Sequence, residues 1–186
     1  MSDQKIADPG PLGLAGFAMT TFCLSAANAN LWKGASVSAA LALALIYGGF
    51  AQILAGMWEF VRKNTFGALA FTSYGAFWIG FYILLKVPAV ASGDTTNTVA
   101  IYLLAWTIFT LYMTVAAVKT NTALLLVFVV LSATFICLTI GNWGAGHTDF
   151  VRAGGWLGLL TALLAWYASA AGVINETHGK TVLPLG

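Results

Sequence analysis

Charge is the first thing this sequence lacks. Eight Lys and Arg and six Asp and Glu among 186 residues make 8%, where a soluble domain carries about 25%. So few ionised groups cannot cover a water-facing surface, and an ordinary soluble fold is excluded. Cysteine is nearly absent: Cys23 and Cys137 both fall inside apolar stretches, where thiols pack as small buried groups and no disulfide framework arises. No cluster of His, Cys, Asp and Glu has metal-binding spacing, no Gly-rich loop cradles a nucleotide, and no nucleophile sits beside a base. These absences argue against an enzyme, a cofactor, a metal site and nucleotide-driven transport. A net charge of +2 is too small to imply a nucleic-acid partner, and a basic rim beside a bilayer explains it.

What is present is apolar sequence, 60% of the chain. Crossing about 30 Å of hydrocarbon takes about 20 residues of helix. Six stretches qualify, at approximately 11–29, 36–60, 66–87, 98–118, 122–142 and 154–174. The expected fold class is therefore an all-α integral membrane protein with six transmembrane helices bundled as the wall of a path. Residues 1–10 and 175–186 are read as short tails flanking one membrane domain over 11–174. An even number of spans leaves both tails on one side, with Lys5, Arg62, Lys63, Lys119 and Lys180 against Lys33, Lys86 and Arg152 opposite. The positive-inside rule makes that side the cytoplasm. Lys5, the first apolar run and Ala27-Asn28-Ala29 loosely imitate a signal peptide, but two acids and two prolines in the flank speak against it. Glu59, Arg62 and Lys63 are read as a turn, leaving no acid or base inside a span.

Helical spacing then sorts the polar residues. Gly67, Phe71, Tyr74 and Trp78 share one face of the third span, and a tyrosine hydroxyl there needs a partner or a wet path. Thr72 and Ser73 flank Tyr74. In the first span Phe17 and Thr20 lie one turn apart, with Gly13 and Leu24 on the same face; Thr20 either bonds back to the preceding turn or lines a path. In the second, Gly48, Gln52 and Gly56 share a face, so a carboxamide sits between two notches for a neighbouring helix. Gln52 either joins helices or meets a permeant. In the fifth, Leu131, Thr134, Leu138 and Asn142 align, and Asn142 either caps the helix or faces the path. The fourth span, aromatic and without glycine, reads as scaffold or lipid-facing. His147 and Asp149 read as a solvated loop pair. Amides and hydroxyls without fixed charge suit a small neutral solute or a weakly held anion.

Several of these stretches in this order resemble the acetate uptake transporters, or succinate-acetate permeases, over nearly the whole chain. They are Asp8-Pro9-Gly10-Pro11-Leu12-Gly13-Leu14, Tyr47-Gly48-Gly49-Phe50-Ala51-Gln52, Asn64-Thr65-Phe66-Gly67, Phe71-Thr72-Ser73-Tyr74-Gly75 and Gly141-Asn142. The family signature opens on Asn and has Ala between the prolines, where this chain has Asp8 and Gly10. The resemblance implies a six-helix subunit in a homo-oligomer, a hexamer, with a path through each subunit, in the cell membrane. It implies transport of acetate, related short carboxylates and in some members succinate, channel-like or proton-linked, with the lipid bilayer and the substrate as partners. It also implies a hydrophobic constriction of Phe17, Tyr74 and Leu131. Gln52, Thr20, Thr72, Ser73 and Asn142 are the polar candidates along that path. The alternatives are a neutral-solute channel for urea or amides and a non-transporting sensor or scaffold.

Overall fold

The computed structural model describes residues 6–32, 37–87, 95–144 and 147–186. Asp3, Lys5, Lys33, Asp94 and most of the connection after the third span lie outside them. The regular structure of the described residues is all helical, in six helices long and apolar enough to cross a membrane. They are α1 (Gly10–Asn28), α2 (Ser38–Val61), α3 (Thr65–Lys86), α4 (Thr95–Ala117), α5 (Thr122–Gly141) and α6 (Thr148–His178).

Local chemistry sets the ends. Pro9 and Pro11 flank the first turn of α1, where a missing N–H costs nothing. Asn64 caps α3 by accepting from the Gly67 N–H at 3.1 Å, and Asn121 caps α5 by accepting from the Leu124 N–H at 2.8 Å. Asn142 closes α5, its amide donating to the Leu138 carbonyl at 2.8 Å. Gly179, at φ 64°, ends α6 in the left-handed conformation that glycine adopts freely.

Three boundaries differ from the sequence reading. The sixth helix begins at Thr148, so Asp149 lies in its first turn, where a carboxylate complements the helix dipole, and is not part of a loop. It also runs to His178, so the first four residues of the expected tail are helical. The rest of that tail folds back. Asn175 Oδ1 accepts from the N–H groups of Val182 and Leu183, Tyr167 donates to the Pro184 carbonyl, and the Leu185 carbonyl accepts from the Ala123 N–H at 2.9 Å.

The third difference lies in α2. Residues Ile46–Ala51 form a π turn that overlaps the Tyr47-to-Gln52 motif. A π turn rotates the residues beyond it relative to an uninterrupted α-helix. Gly48 and Gly56 were expected to receive one neighbour, but they receive two: Gly48 lies against Thr20 of α1, and Gly56 against Thr72 of α3.

The helices close into a ring, α1 beside α6, then α5, α4, α3, α2 and back to α1. The α1–α6 seam is close, because small residues let the backbones meet. A Cβ on Gly155 would fall 2.7 Å from the Asn28 carbonyl carbon and 2.8 Å from the Ala29 Cα, and backbone cannot move aside as a side chain can. Gly155→Val should therefore cost about 1–3 kcal/mol or more, the usual overpacking penalty. A lower thermal midpoint in detergent, with loss of a monodisperse peak, checks this. The α4–α5 seam is instead pinned by hydroxyl pairs, Thr107 with Thr139 at 3.0 Å and Thr114 with Ser132 at 2.8 Å. On its outer side α4 bares Ile101, Ile108, Tyr112 and Val115, as expected of a helix facing lipid or another subunit.

Candidate functional site: two cavities meeting at Phe17 and Leu131

Two cavities lie inside the ring. The first, about 240 Å³, is at the end carrying both termini and is lined by Asp8, Pro11, Gln52, Glu59, Arg62, Asn64, Gly67, Phe71, Asn121 and Leu185 among others. The second, about 200 Å³, is at the end of the α1–α2 and α5–α6 connections, lined among others by Thr21, Leu24, Asn28, Trp78, Thr134, Leu138 and Asn142. Phe17 and Leu131 line both. They stand where one cavity ends and the other begins.

Tyr74 lines the first cavity beside them. Its ring lies 5.6 Å from that of Phe17, tilted by 54°, and meets Phe109 edge-on at 5.3 Å. Phe17, Tyr74 and Leu131 are all buried, as helical phase demands: Tyr74 shares its face of α3 with Gly67, Phe71 and Trp78, all buried too. The Tyr74 hydroxyl pairs with Thr110 of α4 at 2.9 Å, and Thr110 donates in turn to the Trp106 carbonyl. The partner that a buried hydroxyl requires thus comes from the helix read as scaffold, and Thr110 had no signal of its own in the sequence.

The polar candidates divide. Gln52 lines the first cavity, 1% exposed, and its Oε1 has no hydrogen-bond partner among the described residues. Asn142 lines the second while it caps α5. The face Leu131, Thr134, Leu138, Asn142 lies along the second cavity in full. Thr20 lines neither cavity. It is fully buried against Gly48 and donates to the Gly16 carbonyl at 2.9 Å, whereas its neighbour Thr21 lines the second cavity. Phe17 has helical neighbours at both +3 and +4, and the cavity lies on the +4 side, continuing through Thr21, Leu24, Ser25 and Asn28. Thr72 is turned towards Gly56 of α2, away from both cavities, and Ser73 lines neither.

One correction concerns charge. Glu59 is not in a turn: it is the last inward-facing residue of α2, 2% exposed, in the wall of the first cavity. Its Oε2 accepts from the Asn64 amide at 3.0 Å. Beside it Arg62 forms an ion pair with Asp8, whose carboxylate also accepts from the Gly10 N–H at 2.9 Å. The second cavity has no charged residue among its described lining. Cys23 and Cys137 are free thiols.

The sequence profile of the GPR1/FUN34/yaaH family matches residues 1–185. The chain belongs to this family. It is 41% identical to the succinate-acetate/proton symporter SatP of Escherichia coli K12, over 100% of this chain and 98% of that one. It is 37% identical to acetate permease A of Emericella nidulans, over 98% of this chain and 66% of the relative. Among solved structures it resembles the bacterial acetate channel SatP at a TM-score of 0.90 and 40% identity, covering 98% of this chain and 100% of that one. These relatives are transporters or a channel and not enzymes, and none supports a urea or amide channel. Six apolar helices and this membership make the chain a multi-pass membrane protein.

Proposed function

We propose that this protein passes acetate and related short carboxylates, succinate among them, through each subunit, with Phe17, Tyr74 and Leu131 as the constriction. The observation that carries this reading is the pair of cavities entering from opposite ends and sharing Phe17 and Leu131. An apolar partition of this kind rejects by size and forces partial dehydration of whatever crosses. Gln52 on one side and Asn142 on the other offer neutral hydrogen bonds in place of water, enough to solvate a carboxylate without trapping it. The activities for which the relatives are named, succinate-acetate symport and acetate permeation, support the same substrate class.

The assembly we infer is a hexamer in the cell membrane, through contacts that cover the exposed apolar sides of α2 and α4. Both termini face the cytoplasm, because Arg62, Lys63, Lys119 and Lys180 gather at their end. The test is uptake of labelled acetate into proteoliposomes holding the purified protein. Flux well above that of empty liposomes is expected, with no acceleration of urea equilibration in the same vesicles. Acetate rates equal to the empty control would remove this reading.

A further inference from the structure

Glu59 is buried in the wall of the first cavity, at 2% exposure, and its surroundings give it no countercharge of its own. Its carboxyl lies against the start of α3, where a Cβ on Gly67 would stand 2.9 Å from Oε1. Towards α1 the neighbour is Gly10, whose Cβ would stand 3.6 Å from the same oxygen and 3.0 Å from Asp8 Oδ1. Two residues without side chains thus leave the acid its room. The charged groups facing it are Asp8 ahead of α1 and Arg62 after α2, and these two are paired with each other. From α3 comes the neutral Asn64 amide, donating to Oε2 at 3.0 Å, and Tyr74, whose hydroxyl is bonded to Thr110. α5, α6 and the final residues bring only uncharged groups to the described lining. With Asp8 and Arg62 offsetting each other, the net negative charge of this wall is that of Glu59.

An anion entering a cavity of about 240 Å³ shares it with that charge. Like charges so close, in a space poor in water, repel strongly, and dissolved salt screens a buried pair little. A carboxyl group relieves such repulsion by taking a proton. We propose that Glu59 is the proton-accepting residue of the path, taking up one proton as a carboxylate anion enters the first cavity and returning it when the anion leaves. The proton comes from water at the end carrying the termini and forms an O–H bond at Oε1, while Oε2 keeps the bond from Asn64. The charge inside the cavity is then the same before and after entry, because the proton cancels what the anion brings. Linkage makes the effect reciprocal: acid conditions strengthen anion binding by the factor by which the anion strengthens proton binding. This inference rests on the carboxylate transport proposed above and adds to it the residue that ties that transport to pH.

The experiment takes full-length protein in oriented proteoliposomes, with acetate supplied from the end carrying the termini. Wild-type flux is measured first, and its absence would sink the transport reading itself. With flux established, the half-saturating concentration of acetate anion is followed from about pH 5.5 to 7.5 in the wild type and in Glu59→Gln, which keeps the volume and an oxygen for Asn64 but no charge. The wild-type value should rise with pH more steeply, by up to about tenfold per pH unit, the linkage of one proton. The two proteins should meet at the acidic end, with Glu59→Gln lower at the alkaline end. Undissociated acetic acid is equally abundant for both, so the difference in slope isolates Glu59. Glu59→Asp, which restores the charge, should restore the slope. Acetate should also raise the thermal midpoint of the wild type more at the acidic end than at the alkaline end, and equally at both in Glu59→Gln, a readout independent of flux. Asp8→Asn leaves Glu59 in place and frees Arg62 to offset it, so half-saturation at the alkaline end should fall about two- to fivefold, the worth of a partly exposed pair. Parallel profiles in well-folded wild type and Glu59→Gln overturn the assignment while leaving transport intact. So does loss of flux in well-folded Glu59→Gln, which would make the negative charge a requirement. An unchanged half-saturation in Asp8→Asn overturns it as well, even where a Glu59 variant fails to fold.

Discussion

Truncating both shared residues, Phe17→Ala with Leu131→Ala, should turn two cavities into one continuous passage and abolish size selection. Phe17 and Leu131 are the residues lining both cavities, and Tyr74 stands on one side of them only. In the wild type butyrate should pass roughly 10-fold more slowly than acetate, the low end of what a tight apolar site decides by one methylene and compatible with slower passage of succinate. In the double variant the two acids should pass within a few-fold of each other. The stability cost is large, since each buried truncation removes about 2–5 kcal/mol, so the single variants and a thermal midpoint belong in the same series. Tyr74→Phe should behave oppositely. It retains the ring against Phe17 and loses one hydrogen bond to Thr110, worth about 1 kcal/mol, so selectivity should persist. Competition between labelled acetate and butyrate reads all of these proteins. Unaltered discrimination in the double variant would move the constriction elsewhere.

The helical faces of α3 and α5 could be read directly from the sequence, because both helices are regular and each contributes one continuous inward stripe. Tyr74 and the Leu131-to-Asn142 face therefore stand where spacing put them. Thr20 takes the first of its two readings, bonding back to the Gly16 carbonyl, and Thr21 lines the cavity for a reason equally physical. Positions +3 and +4 from Phe17 flank the same direction by opposite offsets, and only the location of the neighbouring helices decides between Thr20 and Thr21. The π turn in α2 was invisible, since Gly48 and Gly49 permit it without requiring it. Thr110 was illegible because α4 has hydroxyls at several phases and no stripe. Glu59 was misplaced by a rule of thumb: an acid near the end of an apolar run is usually in the turn, and here the helix continues past it to Val61 with the carboxyl facing inward. The partner that buries it is Asn64, whose amide also caps α3.

That double duty gives Asn64 the largest expected effect on stability outside the constriction. Its Oδ1 accepts from the Gly67 N–H at the start of α3 while its Nδ2 donates to the buried Glu59 carboxyl, so one amide joins the end of α2 to the beginning of α3. The turn between them is short and Lys63 is held at φ 61°, leaving little freedom to find another partner. Asn64→Ala removes a cap worth about 1 kcal/mol and leaves the Glu59 carboxyl without its donor, a further loss of about 1–3 kcal/mol. Glu59→Leu leaves the exposed Asn64 amide to bond water and should cost about 1 kcal/mol, the worth of one hydrogen bond, whereas Glu59→Gln still offers an oxygen and should cost less. Removing both partners strands neither. The double variant Asn64→Ala with Glu59→Leu should therefore be less destabilised than the sum of the singles, with a coupling of about 0.5–3 kcal/mol. Thermal midpoints of the four proteins in one detergent give that coupling, and strict additivity would show that the Asn64 amide and the Glu59 carboxyl do not depend on each other.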